Sequence, residues 1–181
     1  MHVLTLDATH LEVYRALMLE AYEHSADAFT TTAAERRAEP LSWWAERIGS
    51  ANGRATSFGA WEGDDLVGAV AVEYSLKPKT RHAALVLGMY VQPLRRARGV
   101  GKLLMAAAIA AARLRPEVCM LSLTLTEGNE PALRLYRAVG FTTWGIEPMA
   151  IRTDTGFKGK VHMSLALRSL GISAISQAVA H

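Results

Sequence analysis

Apolar positions near the start of the chain recur three or four residues apart, at Leu11, Tyr14, Met18 and Tyr22. That spacing predicts a helix ending near His24, with Thr9 and Glu12 as its capping box. Residues 2–6 alternate weakly and read as an edge strand. Residues 25–39 have no period and read as a loop or broken helix. Pro40 then starts a short helix with Leu41, Trp44, Ala45 and Ile48 on one face, ended by Gly49. From Thr56 the period falls to two, and 56–61 and 66–74 flank Glu62-Gly63-Asp64-Asp65 as a β-hairpin. Residues 83–91 are nearly all apolar, which predicts a central strand buried on both faces. A helix follows from Gly99 with Val100, Leu103, Leu104, Ala107, Ala108 and Ala111 on one side, stopped by Pro116. Residues 118–124 read as another strand. Asn129 or Glu130 caps the next helix, Pro131 sits in its first turn, and Gly140 supplies a left-handed exit. Its face is Ala132, Leu135, Tyr136 and Val139. Segments 141–146 and 161–167 read as closing strands, with a turn at Thr153-Asp154-Thr155-Gly156.

This order predicts an α+β layer built on one mixed sheet. Strands 83–91 and 118–124 are joined by a single helix and should be parallel neighbours with a right-handed crossover. With 181 residues and 50% hydrophobic composition, the chain suits one ordered domain over 1–168, followed by a weakly periodic tail, 169–181, that frays or docks. A lone cysteine, Cys119, excludes an intrachain disulfide and suits a reducing compartment. The N-terminus lacks the pattern of a signal peptide, and the longest apolar run, 103–112, is too short to span a bilayer. The expectation is a cytoplasmic protein with no membrane partner.

Charge changes the picture at one place. The net charge is only +3, yet Arg95, Arg96 and Arg98 crowd the turn Pro93-Leu94-Arg95-Arg96-Ala97-Arg98-Gly99-Val100-Gly101-Lys102 between strand and helix. The first N–H groups of that helix have no intrahelical acceptor, and the helix dipole adds positive potential, so the turn reads as an anion cradle suited to phosphate. A P-loop would need glycine at Arg96 and Ser or Thr at Leu103, and a dinucleotide fingerprint would need Gly or Ala at Leu104. Neither fits. A short basic cluster without an aromatic platform beside it also argues against nucleic acid. The six histidines are scattered, and no metal-ligand spacing occurs.

Arg96-Ala97-Arg98-Gly99-Val100-Gly101, preceded by Val91-x-Pro93, resembles the Q/R-x-x-G-x-G/A segment of the GNAT superfamily of acetyl-CoA-dependent N-acetyltransferases. Asn129, Ala132, Leu135-Tyr136 and Gly140-Phe141 supply a second match in the family's order. The resemblance covers 83–141 and implies a mostly antiparallel sheet of about seven strands, about four helices and a splayed parallel pair. It implies that the backbone of Arg96, Ala97, Arg98, Gly99, Val100, Gly101 and Lys102 holds the CoA pyrophosphate. The main chain of Met89, Tyr90 and Val91, at a bulge, would bind pantetheine and polarise the thioester carbonyl. Asn129 would contact the cofactor arm, and Tyr136 would protonate the departing thiolate. For the base, relatives place a carboxylate on the strand equivalent to 83–91, and this chain has none there. Glu73, His82 or a water chain stay open. Phe29, Glu35 and Trp43 lie where relatives build the substrate wall. The expected reaction is acetyl transfer to a primary amine of a small molecule, amino-acid derivative or protein N-terminus. A CoA-binding sensor with weak or no catalysis is the alternative, and a homodimer stays open as a partner.

Overall fold

A computed structural model describes residues 1–49 and 53–168; the 169–181 tail lies outside the described residues. Seven strands form one sheet in the order β1-β2-β3-β4-β5-β7-β6. They are β1 (His2–Thr5), β2 (Ala55–Glu62), β3 (Asp65–Tyr74), β4 (Ala83–Val91), β5 (Met120–Thr126), β6 (Thr142–Thr153) and β7 (Gly156–Ala166). Every pairing is antiparallel except β4 with β5. The helices are α1 (Leu11–His24), α2 (Ala33–Ala38), α3 (Leu41–Ile48), α4 (Val100–Arg113) and α5 (Glu130–Ala138).

Among the described residues there are five helices, one more than the pattern of apolar positions indicates. The extra one, α2, has six residues and buries none of them, so it leaves no apolar period to read. It exists because Thr32 and Glu35 form a reciprocal capping box at its start. The box expected at Thr9 and Glu12 does not form. Asp7 takes the Thr9 N–H at 2.9 Å and the Thr9 hydroxyl at 2.5 Å, capping a short 3-10 turn (Ala8–His10) that leads into α1.

Apolar side chains fill both faces of the sheet. On one face Val67, Val70, Val72, Ala84 and Val86 pack with Leu104, Met105 and Ala108 of α4 and with Tyr136 of α5. On the other, Leu66, Ala69 and Tyr90 meet Tyr14, Leu17 and Met18 of α1 and Trp44 and Ile48 of α3. Each large side chain so buried contributes roughly 1.5–3 kcal/mol. The buried stripe of α4 is Val100, Leu104, Met105, Ala108, Ile109 and Ala112, rotated from the one the sequence suggests. Leu103 is exposed.

Two irregularities in β4 make the site. Pairing with β5 covers only Ala83–Met120, Ala84–Leu121 and Leu85–Ser122, after which no pairing joins them. Against β3, Ala71 pairs with Leu87 and Ala69 with Tyr90, so Gly88 and Met89 together face Val70 as a bulge. Gly88 has φ +61°, a conformation that suits a residue without Cβ. The expectation that β4 is buried on both faces therefore fails. Leu85 is 39% exposed and Leu87 and Met89 are half-buried, because these side chains line the open cleft.

Candidate active site

β4 ends at Val91, a short 3-10 turn follows (Pro93–Arg95), and the chain enters α4 through two left-handed residues, Ala97 (φ +61°) and Gly99 (φ +83°). Alternation of this kind turns successive amides toward one concavity. Among the described residues no acceptor meets the amides of 97–102, whereas Leu103 N donates to Gly99 O at 3.1 Å. Six N–H groups at a helix N-terminus thus stand ready for an anion. The two glycines have different tasks. A Cβ on Gly99 would meet nothing within 4 Å, so its side of the turn is open, while a Cβ on Gly101 would meet Leu135 Cδ2 at 2.9 Å and Met89 Cε at 3.3 Å. Gly101 lets α4 close on α5 rather than letting a ligand approach.

The arginines of the turn divide as well. Arg96 Nε donates to Val91 O at 2.9 Å, and its guanidinium lies 5.7 Å from the Tyr90 ring. Arg95 pairs with Glu62 at 2.5 Å, and Arg98 approaches the same carboxylate at 3.8 Å. Arg95 and Arg96 therefore brace the turn, Arg98 leans toward Glu62, and Lys102 supplies the charge in the cleft lining.

From this cradle a cleft of about 1690 Å³ runs between the parted ends of β4 and β5 and under α1, α3 and the 25–31 segment. Its volume exceeds the 300–1,000 Å³ usual for one small ligand, so it can hold two reactants together. Met89, Tyr90, Val91, Asn129 and Tyr136 line it with the cradle residues. Asn129 Oδ1 caps α5 by accepting from Ala132 N at 3.2 Å, which leaves its amide NH₂ for a ligand. Tyr136 is 7% exposed. Burial pushes its phenol up to about 12, so the hydroxyl keeps its proton throughout the neutral range. Burial, followed by the neighbouring Glu20, pushes Tyr90 up to about 12 as well. Tyr90 donates to Glu20 Oε1 at 2.9 Å, and Gln92 Nε2 donates to Oε2 at 2.9 Å.

At the opposite end, Phe29, Trp43 and Glu73 line the cleft. Glu73 accepts from Arg54 at 2.8 and 3.1 Å. Two residues singled out from the sequence are not brought there. Glu35 is spent on its own helix, accepting from the Thr32 amide at 2.8 Å and hydroxyl at 2.7 Å, bonds that hold its carboxyl below the usual range. His82 sits before β4 at the closed end of the strand pair, where its carbonyl accepts from Cys119 N and Met120 N, and its exposed ring does not line the cleft. The sequence reading in turn misses Arg36, Glu46 and Arg47, which do line it. Arg47 follows Trp43 by one helical turn, an i,i+4 pair visible in the sequence; Arg36 arrives from α2, which no apolar period announces.

A family model for the Acetyltransferase (GNAT) family matches residues 18–141. The chain belongs to this family. No curated protein sequence matches it. Among solved structures the chain is similar to smu.2055 of Streptococcus mutans (14% identity, 93% of this chain and 100% of that one, TM-score 0.80). It is also similar to a ribosomal-protein-alanine N-acetyltransferase of Brucella melitensis (20%, 92% and 99%, 0.75). A third relative is yncA of Salmonella typhimurium, solved with its cofactor acetyl-CoA (19%, 93% and 94%, 0.75). At these identities the structural likeness speaks for the fold, the seven-stranded sheet with one parallel pair. Acetyl-CoA is the co-substrate of this family, and the cradle fits it, because the unpartnered amides, the open side of Gly99 and the Lys102 charge in the cleft lining match a diphosphate, whereas Arg98, singled out from the sequence, does not line the cleft. Among the described residues no helix is long and apolar enough to cross a membrane.

Proposed function

We propose that the protein is an N-acetyltransferase that passes the acetyl group of acetyl-CoA directly to a primary amine, with Tyr136 as general acid. Acetyl-CoA supplies the acyl group as a thioester whose diphosphate suits the amides of 97–102. The Met89–Val91 main chain, at the bulge, supplies donors toward the carbonyl oxygen, where charge develops during attack. Glu73, on the cleft-facing side of β3, takes the proton that the ammonium must lose before nitrogen can attack, with water as relay. The Tyr136 hydroxyl gives its proton to the departing sulfur, and the second proton, shed by the acylated nitrogen, passes through water to restore the phenol.

The observation that carries this reading is the buried, protonated Tyr136 in the lining of the same cleft as the amide cradle. Its neutral phenol can donate at any pH at which the protein is folded and an amine reacts.

The test follows thiol release from acetyl-CoA with a panel of amines, beside acetyl-CoA affinity by calorimetry. Turnover on any amine that falls in Tyr136→Phe with affinity retained supports the reading. Tight binding without thiol release from any amine would leave a CoA-binding sensor in its place.

A further inference from the structure

On the acceptor side, two guanidinium groups converge on one indole. Arg36 Cζ lies 4.4 Å and Arg47 Cζ 3.8 Å from the Trp43 ring centre, and Arg36 is also 5.6 Å from the Tyr22 ring. Both line the cleft. Stacking fixes the planes of the two cations and leaves their N–H edges free to meet an anion in the ring plane of the guanidinium. Those edges are poorly used. Nε of each is buried without a hydrogen-bond partner. Arg36 has Thr31 Oγ1 at 3.0 Å and only a stretched 3.6 Å approach to Glu39. Among the described residues the Arg47 guanidinium has no ion pair and no hydrogen bond; only its carbonyl is used, by Ser57 Oγ at 2.6 Å. A buried cation edge left open in this way is costly unless a ligand meets it.

Arg47 also stands close to the reaction centre. Its charge acts on the Tyr14 phenol, and the Tyr14 hydroxyl lies 4.0 Å from the place a Cβ on Gly88 would occupy, at the bulge. Arg47, Tyr14 and Gly88 all line the same cleft. The other charges on this side are Glu73, neutralised by Arg54, and Glu46, exposed on the rim of α3. An acceptor that presents an anion toward Arg47 would meet the edge left open, with its amine on the Glu73 side of the cleft.

We propose that the acceptor is a free α-amino acid whose carboxylate is held by Arg47, assisted by Arg36, on the Trp43 platform, with its amine turned toward the bulge of β4. This rests on the amine-acetylating reading above and narrows it. A protein N-terminus, which carries a neutral peptide group where the amino acid has its carboxylate, leaves the Arg47 edge unmet.

The experiment compares α-amino acids with their carboxamides, by thiol release and by calorimetric binding to the CoA-loaded protein. Wild type should favour the carboxylate member by at least tenfold in kcat/KM. Arg47→Gln should abolish that preference by slowing the carboxylate member alone, Arg36→Gln should weaken it, and Arg47→Lys should keep part of it. Equal handling of both members by wild type overturns the inference, as does a loss in Arg47→Gln that falls equally on both, which is the mark of a merely structural stack. If Arg47→Gln fails to fold, the wild-type preference and the Arg36→Gln variant decide. Carboxylate-dependent binding without acetyl transfer to either series would sink the transferase reading, and with it the role of acceptor, while sparing the carboxylate site at Arg47; transfer without carboxylate dependence would overturn the Arg47 site and spare the transferase reading.

Discussion

Arg96 reaches back across five residues and donates its Nε hydrogen to the carbonyl of Val91 at 2.9 Å, tying the anion cradle to the last residue of the bulged strand. The donor loop and the strand that faces the acyl group are thereby one mechanical unit, and neither can shift without the other. Arg96→Ala should raise the acetyl-CoA KM about tenfold and lower kcat as well, since a hydrogen bond from a charged donor contributes about 1.5–3 kcal/mol. A change in KM alone, measured by steady-state thiol release, would mean that Arg96 contributes only charge.

Removing the Tyr136 hydroxyl should cost catalysis and spare binding. Tyr136→Phe is expected to lower kcat about 10²-fold or more, the usual contribution of a general acid, with acetyl-CoA affinity within about twofold. With a phenol held up to about 12, no loss of activity from this group should appear below about pH 11. A basic limb of kcat centred near pH 9 that vanishes in Tyr136→Phe would contradict the burial-driven shift.

The same burial makes a prediction about stability. Tyr14 and Tyr136 are both pushed up to about 12, burial being the first cause in each, whereas unfolding returns them to the ordinary value of about 10. Between these values the native state holds protons that the unfolded state has lost. Stability is therefore intact below pH 10 and falls as pH rises toward 12, by up to ~1.4 kcal/mol per pH unit for each group. Denaturant midpoints for Tyr14→Phe and Tyr136→Phe should decline less steeply than wild type over that window; parallel curves would show that neither phenol is held neutral.

The two cradle glycines should respond to alanine for different reasons. In Gly99→Ala the new methyl meets nothing, and the cost is the left-handed backbone alone, about 1–2 kcal/mol. In Gly101→Ala the methyl meets Leu135 at 2.9 Å, an overpacking cost of about 1–3 kcal/mol. Adding Leu135→Ala should recover thermal stability in the second variant and not in the first. Recovery in both would remove the distinction.

Glu35→Ala should lower Tm slightly and leave kcat and acceptor KM unchanged, because its carboxylate serves Thr32 and α2. Its contribution exists above the ordinary carboxylate value and disappears as acid protonates the group, since those bonds hold its pKa down. A changed acceptor KM would place Glu35 back at the substrate wall.

These cases show where the sequence is legible and where it is not. The cradle from Arg96 to Lys102 and the cap at Asn129 are readable because their chemistry is local: glycine spacing and a helix start lie within a few residues of one another. The apolar run of β4 is readable as a strand but misread as buried on both faces, since hydrophobicity records removal from water and does not say whether protein or ligand does the removing. Glu35 and Thr32 form a legible capping box whose meaning competes with a catalytic one, and only the observed bonds decide between them. Arg36, Trp43 and Arg47 belong to two short helices, and their convergence exists only after α1, α2 and α3 have packed.

The parting of β4 from β5 after three residue pairs has a consequence for the protein before it meets its substrates. A sheet ordinarily has two unpaired borders; this one has two more, facing each other inside the cleft beyond the Leu85–Ser122 pair, beside apolar Leu87 and Met89. Unsatisfied main-chain rows of that kind recruit other extended chains. Acetyl-CoA bound between those rows would favour the native state in proportion to its concentration, so its removal should lower Tm and raise the tendency to self-associate.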